Sequence, residues 1–379
     1  MRVLKILFAT LLAAVTWNSN AQQLTVQPHI KLPDDTLTAG LLVRTLDVFL
    51  QALSDSSVPL QLVKFDEKAE TELLCAELRN SMHGRPYLLN VAPINASQYI
   101  VQTAYMDATD NQPVIYAVFE LLATRTRNSF VYSSPLLWNT RAWKMFKSSA
   151  CIFHYADTLN MDAAKLHAEK VAEFDRMFDS SIKTTELFLD DNMVDFMKLV
   201  GIDYLAAYNG YSRSMFSIVA DSRQLIVESS NTGSYIDFDL HELFHQRVEN
   251  VLPVALLNKD MVCGAAYLYA GYKGMDWNEI VRTFKYRLTE KKPDWLALYM
   301  DAVNFAFSEK DYLIVTQFIN ALLIKRVMQE RGIEAVKELM LTGDFRNHRH
   351  DFFRTIYKIT GINEKTFNKD VNMLVKELK

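Results

Sequence analysis

Two histidines four residues apart, with a glutamate after the first, constrain this 379-residue chain more than any other feature: His241-Glu242-Leu243-Phe244-His245. On an α-helix, residues i and i+4 lie one turn apart on one face. Two imidazoles so placed can bind one zinc ion together, so the pattern calls for a helix through 241–245. Glu242 points partly toward the same face and is not a ligand in this arrangement. Its role is to take a proton from a metal-activated water and pass it to the leaving amine. Ile236, Leu240, Leu243, Phe244 and Val248 supply the apolar surface that a buried metal helix requires. The competing structural reading is a pair of core histidines satisfied by backbone or carboxylate groups. It would leave two imidazoles and a carboxylate on one buried stretch, which is costly unless each is paired.

Half of the chain is hydrophobic and 12% is aromatic, enough apolar surface for one or two cores. The length suggests two domains. A formal charge of −4 with no long basic run argues against a nucleic-acid partner, because phosphate binding needs clustered positive charge. Residues 1–21 read as the signal peptide of an exported bacterial protein. Arg2 and Lys5 form a basic start, Ile6 to Trp17 an apolar stretch, and Ser19-Asn20-Ala21 a small-residue cleavage site. Cleavage is expected after Ala21, with release to the periplasm or the exterior; an uncleaved interfacial anchor is the alternative. The stretch is shorter than the about 20 residues a bilayer span needs, and no later segment reads as a membrane span. Of three cysteines, Cys75 and Cys151 are available to pair in an oxidising compartment, leaving Cys263 as a free thiol or a ligand.

Periodicity gives an α+β chain. Thr36 to about Ser54 has helical spacing at Leu41, Leu42, Leu46, Phe49 and Leu53. Tyr87–Val91, Gln98–Tyr105, Val114–Ala123 and Ser129–Ser133 have the composition of antiparallel strands. Residues 22–148 therefore read as a small N-terminal α+β domain, similar in layout to the cone-shaped NTF2-like fold. Residues 149–379 read as a second domain with a mixed sheet. Its strands are Ile152–Tyr155, Thr184–Leu189, Phe216–Val219 and Gln224–Glu228; its first helices are Met161–Phe178 and Asn192–Val200, the latter ended by Gly201. Asn231–Ser234 break the sheet and offer N-caps for the metal helix. Beyond residue 235 the chain is mostly helical, with main segments Asp276–Arg287, Trp295–Phe307, Asp311–Gly332, Glu334–Leu341 and Asn363–Leu378.

Catalytic zinc usually takes three protein ligands and one water. Strand-helix-strand-helix-strands, then His-Glu-x-x-His, then a second helix resembles the gluzincin clan of zinc metallopeptidases, the broad peptidase MA-like group, over roughly residues 150–379. In that family the second helix begins with a Glu-Gly pair whose Glu is the third ligand. Here the matching stretch is Val262-Cys263-Gly264-Ala265-Ala266-Tyr267, with Cys263 in the Glu position. A thiolate is a strong zinc ligand; a small buried Cys packing two helices is the bland alternative. Glu279 is the fallback third ligand. The supporting carboxylate found one turn past the ligand in that family falls at Tyr267. Tyr267, Tyr269 and Tyr272, with His348 and His350 in a late basic stretch, are candidates for stabilising a developing oxyanion, Tyr267 and Tyr269 foremost. The resemblance also implies that the sheet edge at Gln224–Glu228 receives an extended peptide.

The expected function is an exported zinc-dependent metallopeptidase hydrolysing peptide or protein substrates, with His241, His245 and Cys263 on Zn2+ and Glu242 as general base. The alternative is a peptidase-like binding or scaffold protein that keeps the cleft and the metal without turnover. Oligomeric state, peptide specificity and endo- or exo-cleavage have no signature in the chain.

Overall fold

The computed structural model describes residues 23–378 apart from 56, 80, 110–111, 191, 212–213, 230–237, 289–292, 306–312 and 344–348. The expected signal peptide, the breaker at 231–234 and His348 lie outside the described residues. The strands are β1 (Thr25–Val26), β2 (Arg85–Pro93), β3 (Gln98–Thr109), β4 (Gln112–Arg125), β5 (Phe130–Ser133), β6 (Lys144–Ser148), β7 (Cys151–Tyr155), β8 (Thr184–Asp190), β9 (Ile202–Leu205), β10 (Met215–Ala220) and β11 (Arg223–Ser229). The helices are α1 (Thr36–Ser54), α2 (Lys68–Arg79), α3 (Leu136–Asn139), α4 (Met161–Phe178), α5 (Met193–Val200), α6 (Leu240–Val251), α7 (Lys259–Tyr269), α8 (Trp277–Arg287), α9 (Trp295–Met300), α10 (Val315–Met340), α11 (Arg349–Thr360) and α12 (Phe367–Lys376). The class is α+β, with two mixed sheets and a helical C-terminal part.

The chain divides into two compact units. The first comprises the residues up to Trp143, Asn192–Ile218 and Val227–Asn231; the second comprises Lys144–Asp191, Val219–Ile226 and Thr232–Lys379. In the first, a sheet runs β1-β2-β3-β4-β5, and β9 pairs with β4 beyond β5. The long β3–β4 ladder sets Val101 opposite Leu121 and Thr103 opposite Phe119. Asp35 caps α1 by accepting from the Thr38 amide at 3.0 Å. By length and composition α1 is apolar enough to reach across a bilayer. Its stripe of Leu42, Leu46, Phe49, Leu50 and Leu53 is buried, with Phe49 5.1 Å from the Tyr132 ring of β5. Tyr132 also donates to the Leu42 carbonyl at 3.0 Å, satisfying a hydroxyl that burial would otherwise penalise.

In the second unit the sheet order is β10-β11-β8-β7-β6, the division between units passing through β10 and β11. β7 and β8 run parallel, and α4 is the crossover that a parallel pair requires. Ala164, Ala168, Val171, Phe174 and Phe178 recur along α4 at helical spacing and are buried. Phe174 and Phe178 meet Phe244 of α6 edge-on, at 5.1 and 5.4 Å.

Five details differ from the sequence reading. β11 lies between β10 and β8, so Gln224–Glu228 is not a free edge for a peptide. Cys75 and Cys151 are both buried free thiols, so the available pairing is not made. The helix expected over Trp295–Phe307 stops at Met300, where Ala302 turns left-handed and Asn304 bridges to Ile314. Three helices, α2, α3 and α11, occupy segments to which periodicity assigns no element. The separate helices expected on either side of Gly332 are joined as α10, kinked at Gly332 with φ 77 and ψ −173.

His167 of α4 is fully buried, between Phe153 (5.9 Å) and Phe238 (4.8 Å). Neither ring nitrogen has a hydrogen-bond partner among the described residues. Burial, and then the charge of Arg247, push its pKa down to about 3. The folded state therefore refuses a proton that the unfolded state accepts near pH 6.5, and stability falls as pH drops from about 6.5 toward 3. From pH 6.5 to 5 this one group removes about 2 kcal/mol. In urea titrations, the stability of wild type relative to His167→Leu is expected to drop by that amount over this interval. Parallel pH profiles for the two proteins would refute it.

Candidate metal centre

The helix carrying the two histidines begins at Leu240, later than the apolar pattern suggests. Its N-cap is Asp239, whose carboxylate accepts from the Glu242 amide at 3.1 Å. The Asp239-x-x-Glu242 spacing is a helix-start signature legible in the sequence. His241 and Glu242 thus sit in the first turn of α6, with His245 one turn on.

Helix α7 returns antiparallel to α6. The register is visible in side-chain pairs: the His241 ring lies 5.8 Å from the Tyr267 ring, and His245 Nε2 lies 3.3 Å from Cys263 Sγ. Each helix therefore offers an i, i+4 pair to the other, His241 with His245 and Cys263 with Tyr267. The Nε2 atoms of His241 and His245 are 3.3 Å apart, and the three ligand atoms, Cys263 Sγ included, lie within 4.8 Å of one another.

The two 3.3 Å separations match those around one ion. Bonds of about 2.0–2.1 Å to nitrogen and 2.3 Å to sulfur at tetrahedral angles put donor atoms about 3.3–3.6 Å apart. His241 Nδ1 lies 2.9 Å from the Gly271 carbonyl oxygen. A carbonyl can only accept, so Nδ1 carries the proton and Nε2 presents its lone pair to the centre. Electrostatics point the same way for the imidazoles. Burial lowers the pKa of His241, and burial together with the neighbouring His241 lowers that of His245 to about 4, so both rings are neutral near pH 7. Cys263 is a thiol in the absence of an ion. Burial pushes it up to about 12, and the Asp260 and Glu242 carboxylates push the same way. An ion bound here would displace that proton, as thiolate ligation requires.

The remaining sequence candidates separate clearly. Glu279 accepts from the Asp276 amide at 3.0 Å in the capping box that starts α8, so its carboxylate serves as a cap and is not part of the three-ligand group. Tyr269 stacks on Phe244 at 6.0 Å, away from the histidine pair. Tyr267 is fully buried, and its hydroxyl accepts from the Ile314 amide at 3.4 Å. Tyr272, third of the tyrosine cluster, packs edge-on to His241 at 5.2 Å. His350 stands exposed on α11 beside Asp351.

Two anchors hold the hairpin. Gly264, next to Cys263, lets α7 approach α10 so closely that a Cβ there would lie 2.6 Å from the Asn320 Cβ and 2.7 Å from the Gln317 carbonyl oxygen. Arg247, fully buried on α6, pairs with Asp175 of α4 at 2.9 Å and donates to Thr185 of β8 at 2.6 Å and to Gln224 of β11. No known protein-family model and no curated protein matches the chain.

Gly264→Ala is expected to lower the unfolding free energy by about 1–3 kcal/mol, because backbone atoms of α10 bar the new methyl. It should also lower metal content, because it displaces the helix that carries Cys263. An unchanged urea midpoint would mean that α10 gives way and the close approach is not required.

Proposed function

We propose that this chain is an exported zinc-dependent peptidase of gluzincin type, with His241, His245 and Cys263 as ligands and Glu242 as general base. The observation that carries the reading is the convergence of three donor atoms from an antiparallel helix pair within 4.8 Å of one another, two of the separations being the 3.3 Å that suits one tetrahedral ion. A zinc ion held there supplies Lewis acidity, which polarises a scissile carbonyl and lowers the pKa of a water molecule toward about 7. The protein's own groups do the rest. His241 and His245 enter as neutral donors, and Cys263 gives up its proton on loading. Glu242, in the first turn of α6, is solvent-exposed and able to receive a proton from the attacking water and return it to the leaving amine. Tyr272 flanks His241 on the loop after α7, where a phenol donor suits a developing oxyanion.

A second reading has one observation in its favour. The resemblance has a carboxylate where this chain has Cys263, and a supporting carboxylate where it has Tyr267. Such a site would keep the ion and a peptide-binding surface without turnover.

Metal analysis of purified protein is expected to find about one zinc per chain. His245→Ala and Cys263→Ala should each lose it. Glu242→Gln should keep zinc and lose peptide hydrolysis by about 100-fold or more. Zinc retained by Cys263→Ala would remove the thiolate from the site. Zinc in wild type with no hydrolysis of peptide libraries would favour the non-catalytic reading. A wild type that takes up no zinc when supplied with it would end both.

A further inference from the structure

The carbonyl that orients His241 comes from an unusual place: the glycine that terminates the helix carrying Cys263. Gly271 follows α7 with φ +79, the left-handed conformation that stops a helix without steric cost only in glycine. Its amide donates to the Ala266 carbonyl at 2.9 Å, which ties it to the end of α7. Its own carbonyl then accepts from His241 Nδ1 at 2.9 Å. The next four residues lock it there. Tyr272 and Met275 exchange both backbone hydrogen bonds at 2.9 Å, and the two residues between them, Lys273 and Gly274, have φ of 46 and 79. Positive φ at both central positions is the mark of a tight two-residue type I′ turn. Any side chain at Gly271 would meet this turn, because a Cβ there would lie 2.2 Å from the Met275 carbonyl oxygen. The capping box of Asp276 and Glu279 then fixes the turn to the start of α8.

We propose that Gly271 is a positioning residue for metal binding. Through its carbonyl, the end of the cysteine-bearing helix sets the ring orientation and tautomer of the first histidine, so that ligands from α6 and α7 are presented as one set. The chemical content is specific. With Nδ1–H committed to Gly271, Nε2 is the available donor, and the ring cannot turn without leaving a buried N–H and a buried carbonyl unpaired. Glu279, a candidate ligand on sequence grounds, contributes at one remove, as the cap that follows the turn.

The inference rests on the metal-centre reading, and the experiment separates the two. Zinc(II) affinity is measured by competition with a chromogenic chelator, and the His241 tautomer by 15N NMR of the imidazole in the metal-free protein. The proteins are wild type, Gly271→Ala, Gly274→Ala and Gly361→Ala. Gly361 has φ +74 and open space around its Cβ position at the end of α11, so its substitution imposes the same backbone strain away from the turn. Gly271→Ala is expected to weaken zinc about 10- to 100-fold, and to move His241 away from the Nδ1–H tautomer that dominates in wild type. Gly361→Ala should hold wild-type affinity within about twofold. Should Gly271→Ala fail to fold, Gly274→Ala carries the test. It strains the same turn without a clash and should shift both readings in the same direction. Wild-type affinity and tautomer in the folded turn variants, or an equal loss in Gly361→Ala, would overturn the inference. A wild type that binds no zinc would sink the metal-centre reading before any variant is compared.

Discussion

A guanidinium removed from water needs partners for its charge, and Arg247 finds them on three different elements. Asp175 on α4, Thr185 on β8 and Gln224 on β11 all converge on it. Burying such an ion costs several kcal/mol, recovered only where the geometry is good and the remaining donors are bonded. The result is a directional constraint that apolar packing does not supply. Phe244 against Phe174 and Phe178 could tolerate small rotations of α6, whereas the fork of Arg247 cannot. At about 100° per residue, Arg247 lies about 140° around the helix from the midpoint of His241 and His245. Fixing one face of α6 to the sheet and α4 therefore aims the other face, with both imidazoles, at α7.

Helix α7 is fixed by a different force. Gly264 removes the side chain that would hold α7 and α10 apart, and the close contact sets where Cys263 stands. The two ligand helices thus have separate anchors, one ionic and one steric. Beside the His-His-Cys group they are joined by the hydrogen bond from His241 to Gly271 and by the contact of His245 with Cys263. Stability and site geometry are coupled in this arrangement, because the residues that hold the helices are neighbours in sequence of the residues that would hold the ion.

Much of the fold was legible from periodicity because the signals were local. The spacing along α1 and α4, the β-branched and aromatic content of β2 to β5, and Gly201 after α5 are all features of a few adjacent residues. The start of α6 was misplaced because Asn231–Ser234 offered good capping residues, while the Asp239-x-x-Glu242 signature stood inside a run already assigned to helix. The peptide-receiving edge at β11 failed for a non-local reason. Whether a strand is an edge depends on which strands flank it, and β10 folds back onto β11. Cys75 and Cys151 were compatible with pairing by count alone, but each is enclosed by its own surroundings.

By itself the sequence determined which side chains share a helical face. The four-residue spacing of His241 and His245 puts them on one helical face whatever else the chain does, and Cys263 and Tyr267 repeat that spacing on the next helix. Only the tertiary structure decided how the two faces meet. The antiparallel register that sets Cys263 at His245 and Tyr267 at His241, and the choice of Nε2 on His241, depend on contacts between residues 18 or more positions apart. Such contacts follow from packing, from the glycine at 264 and from the turn at 271–275, and no local periodicity encodes them.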